Sequence, residues 1–199
     1  LSGLGDSLTF SLLAKLNLSP KTLSGLSLVI GVGVIRALEA LGGQGFSLKW
    51  PNDIVRGGIK IGGILIETKE LAEKEISVVI GIGINIRRKT SFYKENSLLA
   101  SDLYRHGIEA DRNHILACLL IKIREIMGIF VTDGFHSLKN EWQKMHYYHG
   151  SEIEFYLNSG KKKVGTIRGV DSRGCLLVES CGVISTYNSG EIKLKVADE

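Results

Sequence analysis

The spacing of apolar residues changes period along the first half of the chain. Leu8, Phe10 and Leu12 alternate with Thr9 and Ser11, the period-two pattern of a half-buried strand. Ser19-Pro20 then form a helix-start pair, and Leu23, Leu26, Ile30, Val34, Ala37, Leu38 and Leu41 recur at helical spacing until Gly42-Gly43, so one helix is predicted over 19–41. Gly25, Gly31 and Gly33 within it allow close approach to a sheet. That sheet is expected from strands over 46–50, 59–68 and 76–86, with a hairpin turning at Arg56-Gly57-Gly58 and a charged turn over 69–75.

Helical spacing returns over 97–106, then from an Asp111 cap to about 131, and again over 135–146. From residue 150 to 195 the pattern becomes short strands separated by Asn158-Ser159-Gly160, Asp171-Ser172-Arg173-Gly174 and Asn188-Ser189-Gly190, which predicts a small antiparallel barrel. The expected class is α+β: a mixed or antiparallel sheet packed with helices in a main domain over 1–149, then the barrel over 150–199.

A chain of 199 residues that is 44% hydrophobic is long enough to bury one sizeable core and a smaller one. Its longest apolar stretch, 23–41, is interrupted by glycines, Ser27, Arg36 and Glu39, so no membrane span is expected. Three cysteines without a CxxC pair argue against a disulfide framework or a zinc site and fit the cytoplasm. The chain opens on Leu1 without a basic, apolar leader, so no signal peptide is expected, and its natural start is expected upstream. Charges sum to only +4 and are interspersed; the run Lys161-Lys162-Lys163 reads as a solvated hairpin end rather than a nucleic-acid patch.

Chemistry concentrates in three segments: Lys49-Trp50-Pro51-Asn52-Asp53, Lys60-Ile61-Gly62-Gly63-Ile64-Leu65-Ile66-Glu67 and Gly81-Ile82-Gly83-Ile84-Asn85. Lys49 and Lys60 are cations placed to offset charge on a carboxylate or phosphate. Asp53 can bind Mg²⁺ directly or through water, since hard cations prefer carboxylate oxygens. Gly62, Gly63, Gly81 and Gly83 lack a Cβ, so a flat ligand can lie against their strands. Asn85 shares a strand face with Gly81 and Gly83 and is placed to hydrogen-bond a phosphate or ribose. The Gly81-Ile82-Gly83 run opens no helix, which argues against a dinucleotide fingerprint.

In this order the three segments resemble the catalytic domain of biotin protein ligase, and the resemblance extends over essentially the whole chain. It implies the class II aminoacyl-tRNA synthetase-like fold of that family, followed by its SH3-like barrel. The implied activity is ATP-dependent conversion of biotin to biotinyl-5'-adenylate, with transfer to a lysine of a biotin carboxyl carrier protein, a subunit of acetyl-CoA carboxylase. Lys60, Asp53 and Lys49 become the catalytic set. Lys60, Gly63, Leu65, Gly81 and Gly83 would line the biotin pocket; Lys49, Asn52, Asp53, Asn85 and Lys195 would serve ATP and the adenylate, with Mg²⁺ at Asp53. A homodimer through the strand over 59–68 is a further expectation. The family's upstream Gly-Arg-Gly-Arg-type loop and its DNA-binding helix-turn-helix are not in this chain. Lipoate ligases or octanoyltransferases of similar architecture, and a non-catalytic biotin-binding remnant, remain as alternatives.

Overall fold

The computed structural model describes residues 5–72, 75–87 and 100–195. Strand β1 (Ser7–Leu16) is followed by a 3-10 turn (Pro20–Leu23), helix α1 (Leu26–Ala40) and strands β2 (Phe46–Lys49), β3 (Asp53–Arg56), β4 (Ile59–Ala72) and β5 (Glu75–Asn85). A 3-10 turn (Tyr104–His106), helix α2 (Arg112–Asp133), a second 3-10 turn (Phe135–Ser137) and helix α3 (Lys139–Met145) come next. Strands β6 (Glu152–Leu157), β7 (Lys162–Val170), β8 (Leu176–Ser180), β9 (Val183–Tyr187) and β10 (Ile192–Lys195) complete the chain.

The first sheet is antiparallel in the order β1-β5-β4-β3-β2, and the second is antiparallel in the order β10-β6-β7-β8-β9. Alternation decides which face of the first sheet is covered. Ile76, Val78, Ile80, Ile82 and Ile84 of β5 are buried, while Ser77, Val79, Gly81 and Gly83 between them are half-buried on the opposite face. Helix α1 packs over β2, β3 and β4, and α2 lies on α1 and against β1. Gly31 meets Leu48 of the sheet as expected, whereas Gly33 meets Ile126 of α2.

The sequence reading needs three corrections. The helix predicted over 19–41 is two pieces, because Gly25 adopts φ +81° and lies against the Phe135 ring, where a Cβ would come within 2.6 Å. The segment 97–106 is no helix where it is described: only Tyr104–His106 makes a 3-10 turn, and 97–99 lie outside the described residues. Strand pairing also runs into the turn expected over 69–75, with β4 continuing to Ala72 and β5 starting at Glu75. The Asp111 cap is present, its carboxylate accepting from the N–H of Asn113 and His114. Cys181-Gly182, which turns β8 into β9 with positive φ at both residues, is a hairpin that the sequence reading had missed. Among the described residues no helix is long and apolar enough to cross a membrane.

Candidate functional site

One cross-strand row of the first sheet gathers most of the expected chemistry. Lys49 pairs with Asp53, Asp53 with Gly63, Gly63 with Gly83 and Gly83 with Thr9. The adjacent row is Leu65, Gly81 and Ser11. Glycines thus form the floor of the uncovered face, flanked by hydroxyls on one side and the carboxylate on the other.

Lys60 reaches this floor through a β-bulge. The register shifts between Ile54 and Val55, so that Ile54 opposes Gly62 while Val55 opposes Lys60. Without the extra residue, strict alternation would put Lys60 on the face of Gly62, away from Gly63. With it, the Lys60 ammonium lies 2.5 Å from Asp53 Oδ1. A Cβ on Gly63 would stand 3.5 Å from each of those two atoms, so the absence of a side chain leaves space beside the ion pair. A cavity of about 360 Å³ opens there between Ser7, Thr9, Lys60, Gly63, Gly83 and Asn85. Leu65 and Gly81 extend the surface by one row, and Leu65 is 60% exposed.

The asparagines do structural work. Asn85 is 8% exposed and donates through Nδ2 to the Ser101 carbonyl at 2.8 Å, while Ser101 N–H donates to Lys60 O at 2.8 Å. Residues 100–103 are thereby tied between β4 and the end of β5. Asn52 accepts from Ile64 N–H through its own carbonyl and donates to Ile64 O through Nδ2, continuing the β3–β4 ladder into the turn. Both side chains, expected at the nucleotide, are here engaged by backbone carbonyls.

Lys49 lies opposite Asp53 in the β2–β3 register. Its ammonium lies 5.8 Å from the centroid of the Tyr148 ring, facing the C-terminal part of the chain. Lys195 ends β10, and its side chain lies outside the described residues. Ser7 and Thr9 belong to the cavity but went unassigned; their signal was the polar alternation of β1. Trp50, part of the first segment, carries no role in the sequence expectations. It is 3% exposed, and its indole Nε1–H donates to the Gly174 carbonyl of the β7–β8 loop at 3.0 Å.

No group of three or more metal-ligating side chains occurs among the described residues. Asp53 is a single carboxylate with Oδ1 held by Lys60, so an Mg²⁺ there would have to take its remaining ligands from substrate phosphates and waters.

Residues 2–85 match the model of the biotin/lipoate A/B protein ligase family, and residues 148–195 match the biotin protein ligase C-terminal domain. The chain is 31% identical over 201 residues to the bifunctional ligase/repressor BirA of Escherichia coli, covering 100% of this chain and 61% of that protein. It is 30% identical over 171 residues to the biotin–[acetyl-CoA-carboxylase] ligase of Mycobacterium tuberculosis, covering 84% of this chain and 61% of that one. It therefore spans about 61% of the length of these relatives. Among solved structures, biotin protein ligase from Aquifex aeolicus in complex with biotin and ATP superposes with a TM-score of 0.78 at 31% identity, covering 96% of this chain and 79% of that one.

Proposed function

Because the chain belongs to the biotin protein ligase family, with the antiparallel catalytic sheet and SH3-like second sheet of that fold, we propose that it supplies the catalytic core of an enzyme activating biotin with ATP. A biotin carboxylate oxygen attacks the α-phosphorus of ATP and the bond to pyrophosphate breaks. A carrier lysine, as the free amine, then attacks the acyl carbon, AMP departs and the amine proton is lost.

The Lys60–Asp53 pair above a floor of glycines is the observation that carries this reading. A bicyclic ring can lie on Gly63, Gly81 and Gly83 beside Leu65, with its carboxylate directed at Lys60. There the ammonium, oriented by Asp53, offsets charge that builds up as carboxylate and phosphate meet. Asp53 would hold Mg²⁺ through its second oxygen, and the ion would screen the phosphates. Asn52 and Asn85 serve the nucleotide side by fixing the backbone around it, while Lys49, opposite Asp53 in the β2–β3 register, supplies positive charge.

The carrier is a biotin carboxyl carrier protein of acetyl-CoA carboxylase, the enzyme named for the Mycobacterium tuberculosis relative. Cytoplasmic residence is part of the same proposal. The domain division falls near residue 149. Support for biotin over lipoate is the 31% identity to the Aquifex ligase, against 10% to a lipoate protein ligase of Thermoplasma acidophilum, a likeness of fold alone.

The test is biotinyl-adenylate formation, followed by mass, in the full-length protein and its Lys60→Ala variant. Loss of a preorganised cation at developing phosphate charge is worth about 3 kcal/mol, roughly a hundredfold in rate. A folded variant that adenylates at the wild-type rate rejects the assignment.

A further inference from the structure

Trp50, Gly174 and Gly25 lock the second sheet against the turn that carries Asn52 and Asp53. The donor of the Trp50 indole is satisfied by the Gly174 carbonyl at 3.0 Å. Gly174 has φ +81°, and a Cβ there would come within 3.0 Å of Gly25 Cα, so the loop and the start of α1 are in backbone contact. The loop is itself tied down: Asp171 Oδ1 accepts from the N–H of Arg173 and of Cys175, and Cys175 Sγ contacts Asn188. On the other side of Trp50, Pro51 O accepts from Ser27, Asn52 brackets Ile64 and Asp53 meets Lys60.

We propose that Trp50 is a positioning residue through which the C-terminal sheet sets the geometry of the Asn52–Asp53 turn, and so the placement of Lys60. The inference rests on the adenylating role proposed above and deepens it. Trp50 is buried, lines the cleft between α1, the β4 edge and the β7–β8 loop, and does not line the Lys60 cavity. It acts through the turn it belongs to. Deleting its donor leaves a half-buried carbonyl unpaired and frees the loop to shift, which loosens the turn.

In the full-length protein, Trp50→Phe removes the donor and keeps a ring, whereas Gly174→Ala disturbs the same contact from the barrel side. Each is expected to lower kcat for adenylation about tenfold, while KM for biotin moves little. Because both act through one contact, the double variant should lose no more than the worse single variant. The Asn52 side-chain amide should also shift in a ¹⁵N spectrum of Trp50→Phe. A lowered melting temperature with kcat and the Asn52 resonance unchanged overturns the proposal and leaves Trp50 as core packing. Strictly additive losses overturn it as well. If wild-type protein forms no adenylate, it is the functional reading that fails, and the Asn52 resonance still decides whether the barrel controls the turn.

Discussion

Gly62 and Gly63 are adjacent in sequence, yet a methyl group added to each meets a different obstacle. At Gly62 it would come within 2.5 Å of the Gly83 carbonyl, a backbone atom that cannot move aside. Gly62→Ala is therefore expected to destabilise the fold by about 2 kcal/mol, seen as a lower midpoint in urea unfolding. At Gly63 the nearest atoms are 3.5 Å away, an ordinary contact, so Gly63→Ala should fold normally. Its methyl would occupy the floor beside Lys60, and calorimetry should show biotin affinity reduced roughly tenfold. Equal melting and equal affinity for both variants would refute the glycine floor. The sequence identified these residues because glycines within a strand already require a reason. It could not separate the two, since the clash depends on which neighbouring strand carbonyl each one faces.

At the level of elements, alternation located β1, β2, β4 and β5 to within a few residues, apart from the extension of β4 and β5, but gave no range to β3, a four-residue strand pressed between the Pro51-Asn52 turn and the Gly57-Gly58 hairpin. The bulge was hidden. Nothing local in Ile54-Val55 or Lys60-Ile61 marks it, because a register shift is settled between two strands rather than within one. The break in the first helix was equally invisible, since Gly25 suits a helix by spacing and leaves it only because Phe135 and Gly174 fill the space beside it. Helix α3 ends in a feature with a pH consequence. His146 is 4% exposed, stacked on Trp142 at 4.6 Å, and among the described residues neither ring nitrogen has a partner. Burial, aided by the charge of His149, pushes its pKa down to about 3. The unfolded chain takes up this proton below the ordinary value near 6.5 while the folded chain refuses it. The neutral ring thus favours the fold fully above about pH 6.5, and that preference drains away as pH falls towards 3. Urea unfolding of wild type should lose about 2 kcal/mol more than His146→Leu between pH 7 and pH 5. Parallel losses in the two proteins would show that His146 is protonated without penalty.

Considered whole, the molecule has an open side. Strand β4 is interior where β3 covers it, but that cover ends with the Asn52–Ile64 bonds, so the strand over 59–68 lies at an edge only beyond Ile64. From Leu65 onward its outer N–H and C=O groups face no strand among the described residues, the condition that invites pairing with a second copy. A homodimer through this edge, favoured with biotin and ATP present, should appear in light scattering over a concentration series. A monomeric mass at high micromolar protein in both conditions would dismiss it. The Trp50–Gly174 bond has an optical consequence as well. The chain has two tryptophans, and Trp142→Phe would leave the Trp50 indole as the sole emitter. Held dry between sheet and barrel, it should fluoresce blue, and it should redden when the barrel releases it to water. Reddening at lower denaturant than the collapse of the helical circular dichroism would mean that the barrel departs from a sheet still folded; coincident curves would mean that the two melt as one cooperative unit.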